Sequence, residues 1–372
     1  MAAKRFRVGI VGLQPGRSWA SRAHVPALRA LADDFEIAGV ANTSQASAEA
    51  AASAAGIPRA FADVAELVAS PDVDIVAVTV KVPHHFELVK AAVGAGKHVY
   101  CEWPLGNGLA EAEEMAALAK ARGVLGVVGT QARVAPEIEY LRKLIADGFV
   151  GEVLSTTLTA RGRGWGAAID SQAIGAYMLD RANGATMLTI PLGHTLAAFR
   201  GVLGDVAELS AVLANRRKSV IALDTGATLP MNSPDQVLVS GLLASGAPVS
   251  IHYRGGQPRG GVGLVWEING TAGDIRLTGP SGHAQMIPLS LEGGRGDDHE
   301  LRPLEIPASY RAGFPEDVVP GNVARIYARM AADLRDGTRT APSFDDAVEV
   351  HCLIAAIESA ADSGRRASPG TW

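Results

Sequence analysis

A glycine turn, a few imidazoles and carboxamides, and a lysine at the end of an apolar run are the groups in this sequence with chemistry to offer. Gly9-Ile10-Val11-Gly12-Leu13-Gln14-Pro15-Gly16 follows a short apolar run and precedes Ser18 and Trp19. Strand, tight glycine turn and helix in that order let a backbone approach a pyrophosphate, with helix N–H groups facing the negative charge. The turn is not a clean G-x-G-x-x-G, because Gln14 stands two positions after Gly12 and the loop runs longer before Trp19. A glycine turn without a nucleotide is the alternative on the motif alone. The surrounding alternation of strands and helices favours the cofactor reading, with Gly12, Leu13, Gln14, Gly16, Ser18 and Trp19 as its contacts.

A second strand ends Val40-Ala41-Asn42-Thr43-Ser44. An acid there would bond the adenosine ribose and repel a 2′-phosphate. Asn42 and Thr43 can bond either, so NAD and NADP both stay open. Lys81 lies just past a buried strand, at the edge of the sheet where ligands bind, and either polarises a ligand or pairs with a carboxylate. His84 and His85 are adjacent beside Pro83, begin a helix and point in different directions, so they make no metal pair. With only Cys101 and Cys352, far apart, neither a zinc site nor a disulfide framework is expected. Gln131 and Arg133 at a domain junction, and Arg161, Arg163 and Trp165 in a glycine-rich loop, are candidates to line a substrate cleft. Guanidinium and indole groups suit hydroxyl-rich ligands. Tyr177 is read either as a proton relay or as a partly buried surface tyrosine.

The elements that must hold these groups follow from periodicity. Apolar runs at Arg7 to Val11, Phe35 to Ala41, Asp74 to Val80, His98 to Cys101 and Val124 to Val128 alternate with helical stretches at about 18–32, 44–55, 86–95 and 109–121. That rhythm gives a parallel sheet covered on both faces, a Rossmann-type doubly wound α/β domain over 1–130. After a helix from Glu137 to Ala146, strands follow strands: Glu152 to Thr159, Ala207 to Ala214, Val237 to Leu243, Val249 to Tyr253, Gly263 to Ile268 and Asp274 to Leu277. An α+β domain on an open, mostly antiparallel sheet is expected over 131–372. Helices from Gly321 to Leu334 and Phe344 to Ala361 close the chain and are free to pack back on the first domain. The segment Gly293 to Asp298 reads as a solvated loop.

Composition narrows the function classes. The 372 residues are 48% hydrophobic and 20% charged, an ordinary globular balance. Thirty-four basic residues against 39 acidic ones give a net charge of −5, scattered rather than striped, so no nucleic-acid partner is expected. No apolar stretch approaches the roughly 18 residues of a membrane span. The basic start lacks a signal-peptide core, and a cytoplasmic location is the expectation.

Pro83-His84-His85-Phe86-Glu87, then Ala95-Gly96-Lys97-His98-Val99-Tyr100-Cys101-Glu102-Trp103-Pro104, then Gly184 through Gly193-His194 together carry a resemblance. They resemble the glucose-fructose oxidoreductase / inositol dehydrogenase / rhizopine-catabolism (Gfo/Idh/MocA) family across nearly the whole chain. Gly12 to Ala20, Val80 to His85 and Glu102-Trp103-Pro104 are similar to the branch that holds the yeast galactose-regulon repressor and its bacterial relatives. The resemblance implies NAD or NADP as cofactor and a sugar, polyol or related hydroxylated substrate. It implies a cofactor-side role for Glu102, a contact near the nicotinamide for His85, and catalysis by His194, whose imidazole can accept a proton from a sugar hydroxyl. The family's dehydrogenases use a lysine and an aspartate where this chain has Trp103 and Ile190, neither of which is an acid or base. Trp103 either stacks on a nicotinamide or sugar face or fills the site; Lys81 is the candidate replacement for the missing ammonium group. The expected function is an NAD(P)-dependent oxidoreductase. A cofactor-binding regulator without turnover, and a lyase or hydrolase with tightly held NAD, are the alternatives. An open sheet face makes a homodimer or homotetramer through the second domain the expected assembly.

Overall fold

The computed structural model describes residues 4–162 and 164–370 and divides the chain into two compact units. The first comprises Met1–Gln131 and Gly313–Val348; the second comprises Ala132–Ala312 and Glu349–Trp372. The break after residue 130 expected from sequence is therefore followed by a return, in which a late segment joins the first unit.

In the first unit, β1 (Phe6–Val11), β2 (Phe35–Ala41), β3 (Ile75–Val78), β4 (His98–Glu102) and β5 (Gly126–Gly129) form a parallel sheet in the order β2-β1-β3-β4-β5. β3 is Ile-Val-Ala-Val and buried throughout, as a central strand covered on both faces must be. Helices α1 (Val25–Ala30), α2 (Gln45–Ala55), α3 (Val64–Ala69), α4 (His85–Gly94) and α5 (Leu109–Arg122) make the crossovers. Ser44 caps α2 by accepting from the Ser47 N–H, and Asp63 caps α3 by accepting from Glu66. The chain leaves β1 toward β2 on one side and crosses to β3 on the other. The carboxyl ends of β1 and β3 are thus the switch point where such sheets take ligands.

A five-residue π-helical turn, Ala20–His24, precedes α1, where the sequence pattern reads as plain helix. In the C-terminal part of this unit, α9 (Val318–Asp336) packs Tyr327 against the rings of Phe35, Tyr100 and His24. The segment after α9 runs beside β5, where Val128 N–H donates to Pro342 O at 2.8 Å. These contacts are why Gly313–Val348 belongs with the first unit.

The second unit opens with α6 (Pro136–Ala146) and is built on an eight-stranded sheet among the described residues. It runs β16-β15-β14-β13-β6-β12-β11-β8, from β6 (Val153–Gly162), β8 (Val206–Ala214), β11 (Gln236–Leu243), β12 (Pro248–Gly255), β13 (Leu264–Gly270), β14 (Gly273–Gly279), β15 (Ser290–Arg295) and β16 (Arg302–Pro303). Every neighbouring pair is antiparallel except β6 with β12. A small sheet joins β7 (Ala168–Ile169), β9 (Ser219–Ala222) and β10 (Thr228–Pro230). The α/β fold class read from the sequence, parallel sheet then mostly antiparallel sheet, is the observed one.

The α7 turn (Gln172–Gly175) and α8 (Gly193–Leu203) follow β7 and precede β8, and α10 (Phe344–Ser363) completes the helices. Phe199 of α8 stacks on Trp266 of β13 with ring centroids 5.5 Å apart, pinning α8 to one sheet face. The opposite face alternates outward: Val212 and Leu238 are cross-strand partners, 57% and 41% exposed. The expected loop at Gly293 to Asp298 is instead strand as far as Arg295. A Cβ at Gly293 would stand 2.8 Å from Leu304 and 3.0 Å from Phe149, so glycine there serves close packing rather than looseness.

Candidate functional site

The glycine turn sits at the end of β1. Gly12 has φ +99°, and a Cβ on it would come within 2.5 Å of Val80 at the end of the β3 segment. Thr79 ties the same two ends together, donating from Oγ1 to Val11 O at 2.8 Å. Asn42 holds the turn from the other side: its Oδ1 accepts from Leu13 N–H, and its Nδ2 donates to Leu13 O and Ser47 O. Both amide protons of Asn42 are therefore committed, and the sequence reading of it as a ribose donor gives way to a structural tether. Leu13 is fully buried with its backbone N–H and C=O both bonded to Asn42, so it supports the turn from beneath instead of facing a ligand. Ser18 Oγ accepts from Gln14 N–H at 2.9 Å and closes the loop.

What remains outward is Gln14, Pro15, Gly16 and Arg17, with Thr43 exposed beside them. Gly16, at φ +68°, has open space where a Cβ would stand. Trp19 has its indole Nε1 buried without a partner in the protein. An open glycine turn at the end of β1, followed in the chain by a spare buried donor, fits a phosphate-bearing dinucleotide, so the residues present pass that test.

Two strands along, β4 delivers Glu102 into a buried polar cluster. Its Oε1 accepts from His24 Nε2 at 2.8 Å, and Gln131 Nε2 donates to Oε1 at 3.0 Å and Oε2 at 2.8 Å. His24 Nδ1 lies 2.8 Å from the Tyr327 hydroxyl. Gln131, expected to line a substrate cleft, is 1% exposed and spends its amide on Glu102. His24 and Tyr327 were not legible as site residues. Their partners lie 78 and 303 positions away from His24, beyond any local pattern.

The cis Trp103-Pro104 peptide follows, and Trp103 is 5% exposed. His85 Nδ1 lies 2.8 Å from Pro104 O and Nε2 3.0 Å from Val80 O. Burial lowers its pKa, which keeps the ring neutral with one N–H to share between the two carbonyls. His85 thus clasps the turns after β3 and β4 rather than reaching a cofactor. Lys81 is exposed and extended just beyond β3, as the sequence suggests.

In the second unit, His194 is the second residue of α8, directly after a π-helical turn, Leu188–Leu192, that contains Pro191. It is 4% exposed, and burial together with the charge of His283 pushes its pKa down to about 3. The ring is neutral throughout the physiological range. Next to it, Thr195 Oγ1 and Tyr253 OH are 2.7 Å apart, and the Tyr253 hydroxyl donates to Gly282 O at 3.2 Å. Trp165 is 2% exposed at φ +54°, donates from Nε1 to Met178 O at 3.0 Å, and lies nearly parallel to His283 with centroids 6.5 Å apart. The glycines around Trp165 pack it: a Cβ on Gly255 would meet Trp165 O at 2.1 Å. The glycine-rich loop thus holds Trp165 in a tight, buried turn, and His283 is a neighbour that no motif announced. Tyr177 is half-buried in a short 3₁₀ turn, and burial raises its pKa. Arg163 lies outside the described residues.

Residues 6–130 match the oxidoreductase family with NAD-binding Rossmann fold, the Gfo/Idh/MocA profile, and residues 136–279 match the C-terminal domain of Gal80p. A curated relative, dehydrogenase aclE of Aspergillus oryzae, is 32% identical over 373 residues, covering 98% of each chain. Among solved structures, a super-repressor mutant of Gal80p from Saccharomyces cerevisiae superposes with TM-score 0.90 at 23% identity over 98% of each chain. Levoglucosan dehydrogenase in complex with NADH and L-sorbose superposes with TM-score 0.83 at 22% identity over the full length of both. With its NAD-binding Rossmann unit and its Gal80p-like second unit, the chain belongs to the Gfo/Idh/MocA oxidoreductase family, in the branch that resembles Gal80.

Proposed function

We propose that the protein is an NAD(P)-dependent dehydrogenase acting on a sugar, polyol or related hydroxylated compound. The observation that carries this reading is the turn at the end of β1: Gly16 is open, and the Trp19 N–H three residues on is buried without a partner among the described residues. Gln14, Gly16 and Thr43 would hold the dinucleotide, with Glu102 on its nicotinamide side. The end of β2 carries no carboxylate to repel a 2′-phosphate, so the dinucleotide is NAD or NADP on this reading. When bound, the nicotinamide supplies the hydride chemistry.

The chain's own part is to orient the carbinol, exclude water and take its proton. His194 is the base in this reading. A pKa of about 3 keeps its nitrogen unprotonated at any working pH but makes it a weak acceptor at rest, so it takes the carbinol proton as hydride departure leaves a protonated-carbonyl-like, strongly acidic hydroxyl. Lys81 is the group that polarises the oxygen. His194→Ala should lower turnover by about 10² to 10⁴ while dinucleotide affinity stays within a few-fold. Turnover equal to wild type across a panel of sugars and polyols, read by nicotinamide absorbance, removes His194 as the base. The low-pH limb of kcat should also lie well below the ordinary histidine range.

A second reading, a dinucleotide-binding regulator, is favoured by one observation. Trp103 and Ile190 stand where the family's dehydrogenases carry acid–base groups, in a chain matching the Gal80p C-terminal domain. Dinucleotide binding with no hydride transfer to any member of the panel would select it. For assembly, the exposed Val212–Leu238 pair on the open face of the second unit supports a homodimer or homotetramer through that sheet. Sedimentation at micromolar concentration giving a monomer would refute this.

A further inference from the structure

Two arginines of the second unit lack the counter-charge that others there have. Arg276 bonds Glu292 at 2.8 Å, and Arg200 reaches both Asp205 and Glu349. Arg161 and Arg254 are register partners on the adjacent parallel strands β6 and β12, so their side chains leave the same face of the sheet at neighbouring positions. That face is the open one. Ala160 and Tyr253, which precede them, are buried on the side of α8, where the Tyr253 hydroxyl meets Thr195. Arg161, expected from the sequence to line a substrate cleft, therefore lies across the sheet from α8 and His194.

His252 stands two positions before Arg254 on the same face, in register with Thr159 and Leu238. Burial first, then the charges of Arg254 and Arg161, hold its pKa below the ordinary histidine value, which puts both guanidinium groups within electrostatic reach of the ring. All three side chains are half-buried. Arg254 Nε and His252 Nε2 are enclosed and bond to nothing among the described residues, and neither arginine has an ion pair there. The two cross-strand rows that carry them hold no acid; their other polar members are Thr159 and Gln236, a hydroxyl and an amide.

Like charges on neighbouring strands destabilise a sheet, and enclosed N–H groups without acceptors add to the cost. In a chain of net charge −5, the unopposed pair is not the by-product of a basic surface. An oxyanion removes both costs at once, because guanidinium forks bond it through paired N–H groups while Thr159 and Gln236 add neutral donors. We propose that Arg161, Arg254 and His252 form a binding site for one oxyanion, a carboxylate or phosphate group, on the open face of the second unit. The site stands apart from the reaction assigned to His194 and does not depend on it. The anion has two sources to be told apart: a free small molecule, or an acidic side chain of a second copy seated on this face.

The test uses the full-length protein in chloride buffer at constant ionic strength, with inorganic phosphate and citrate as probes. Thermal midpoint and titration calorimetry read binding, and sedimentation reads assembly. For a free anion, either probe at about ten times its dissociation constant should raise the midpoint of wild type by about 2–5 °C. Arg254→Gln and Arg161→Gln should each weaken that binding at least about tenfold, and Arg254→Lys, which keeps the charge but not the fork, should weaken it less. An undiminished response in both glutamine variants would put the anion elsewhere, such as at the glycine turn of the first unit, and would overturn the proposal. If wild type ignores both probes, sedimentation decides. Loss of self-association in Arg254→Gln, with a native circular dichroism spectrum, assigns the site to a carboxylate of a second copy; unchanged assembly overturns the proposal. Should Arg254→Gln fail to fold, Arg161→Gln makes the same comparison.

Discussion

Asn42 shows how much one side chain's hydrogen bonds can decide. From the sequence it stands at the ribose position; in the fold its two N–H donors go to Leu13 O and Ser47 O. Asn42→Asp would turn those donors into a carboxylate facing two carbonyl oxygens. We expect it to destabilise the first unit by about 1–3 kcal/mol, read as a lowered thermal midpoint, and to weaken NAD and NADP alike. A variant as stable as wild type that merely gains preference for NAD would show the amide to be a ribose contact after all. The same logic explains which candidate residues stand in the fold where the sequence puts them. Gly12 and Gly16 were legible because strand, glycine and helix are neighbours in the chain, and Lys81 because a buried strand stops just before it. The partners of Gln131, Trp165 and His85, namely Glu102, His283 with Met178, and the carbonyls of Val80 and Pro104, were not legible because they are set by tertiary packing. Polar residues next to glycine and proline look solvated until that packing is known.

Two elements share a device that the periodicity hid. Ala20–His24 and Leu188–Leu192 are π-helical turns, each leading into an α-helix, and each delivers a histidine: His24 as its last residue, His194 two positions beyond. One extra residue in a helical turn shifts the side chains before it by about 100° relative to those after it. A histidine can then leave the face that the helix pattern would give it. Deleting Ile190 should let the turn relax to α-helix while α8 persists. We expect native circular dichroism, turnover lowered at least tenfold, and unchanged dinucleotide binding. Full turnover in the deletion variant would mean that the π turn does not set His194. The strands were easier to read. β3 shows its burial as unbroken apolar residues, and β6 its half-burial as alternation, whereas β15 was missed because three of its positions look like loop: Gly293, Gly294 and Arg295.

At the scale of the molecule, buried histidines set the pH response. His85 in the first unit and His194 and His351 in the second are all buried, with pKa values lowered by that burial, to about 3 for His194 and about 4 for His351. Each ring takes up a proton in the unfolded chain near pH 6.5 but resists it in the fold. Stability is therefore full above about pH 7 and is lost as pH falls through 6.5 toward 4, by up to about 1.4 kcal/mol per group per pH unit. Glu358, whose pKa burial raises, has the opposite sign and offsets part of the loss. Urea unfolding at pH 7.0 and 5.5 should show a decrease on the order of 3 kcal/mol, larger for the transition of the second unit. Equal midpoints at the two pH values would mean that these rings are solvated or charged in the fold.

The return of Gly313–Val348 to the first unit also bears on how the protein is made. A ribosome releases β1 through β5 long before Tyr327, which follows His24 by 303 positions. Throughout that interval the nascent sheet must wait with His24, Phe35 and Tyr100 lacking the ring that covers them, while the whole second unit up to Ala312 is still being synthesised. The dinucleotide-binding unit is therefore the first to begin and cannot be the first to finish. Any fragment cut after residue 131 carries that unfinished state permanently.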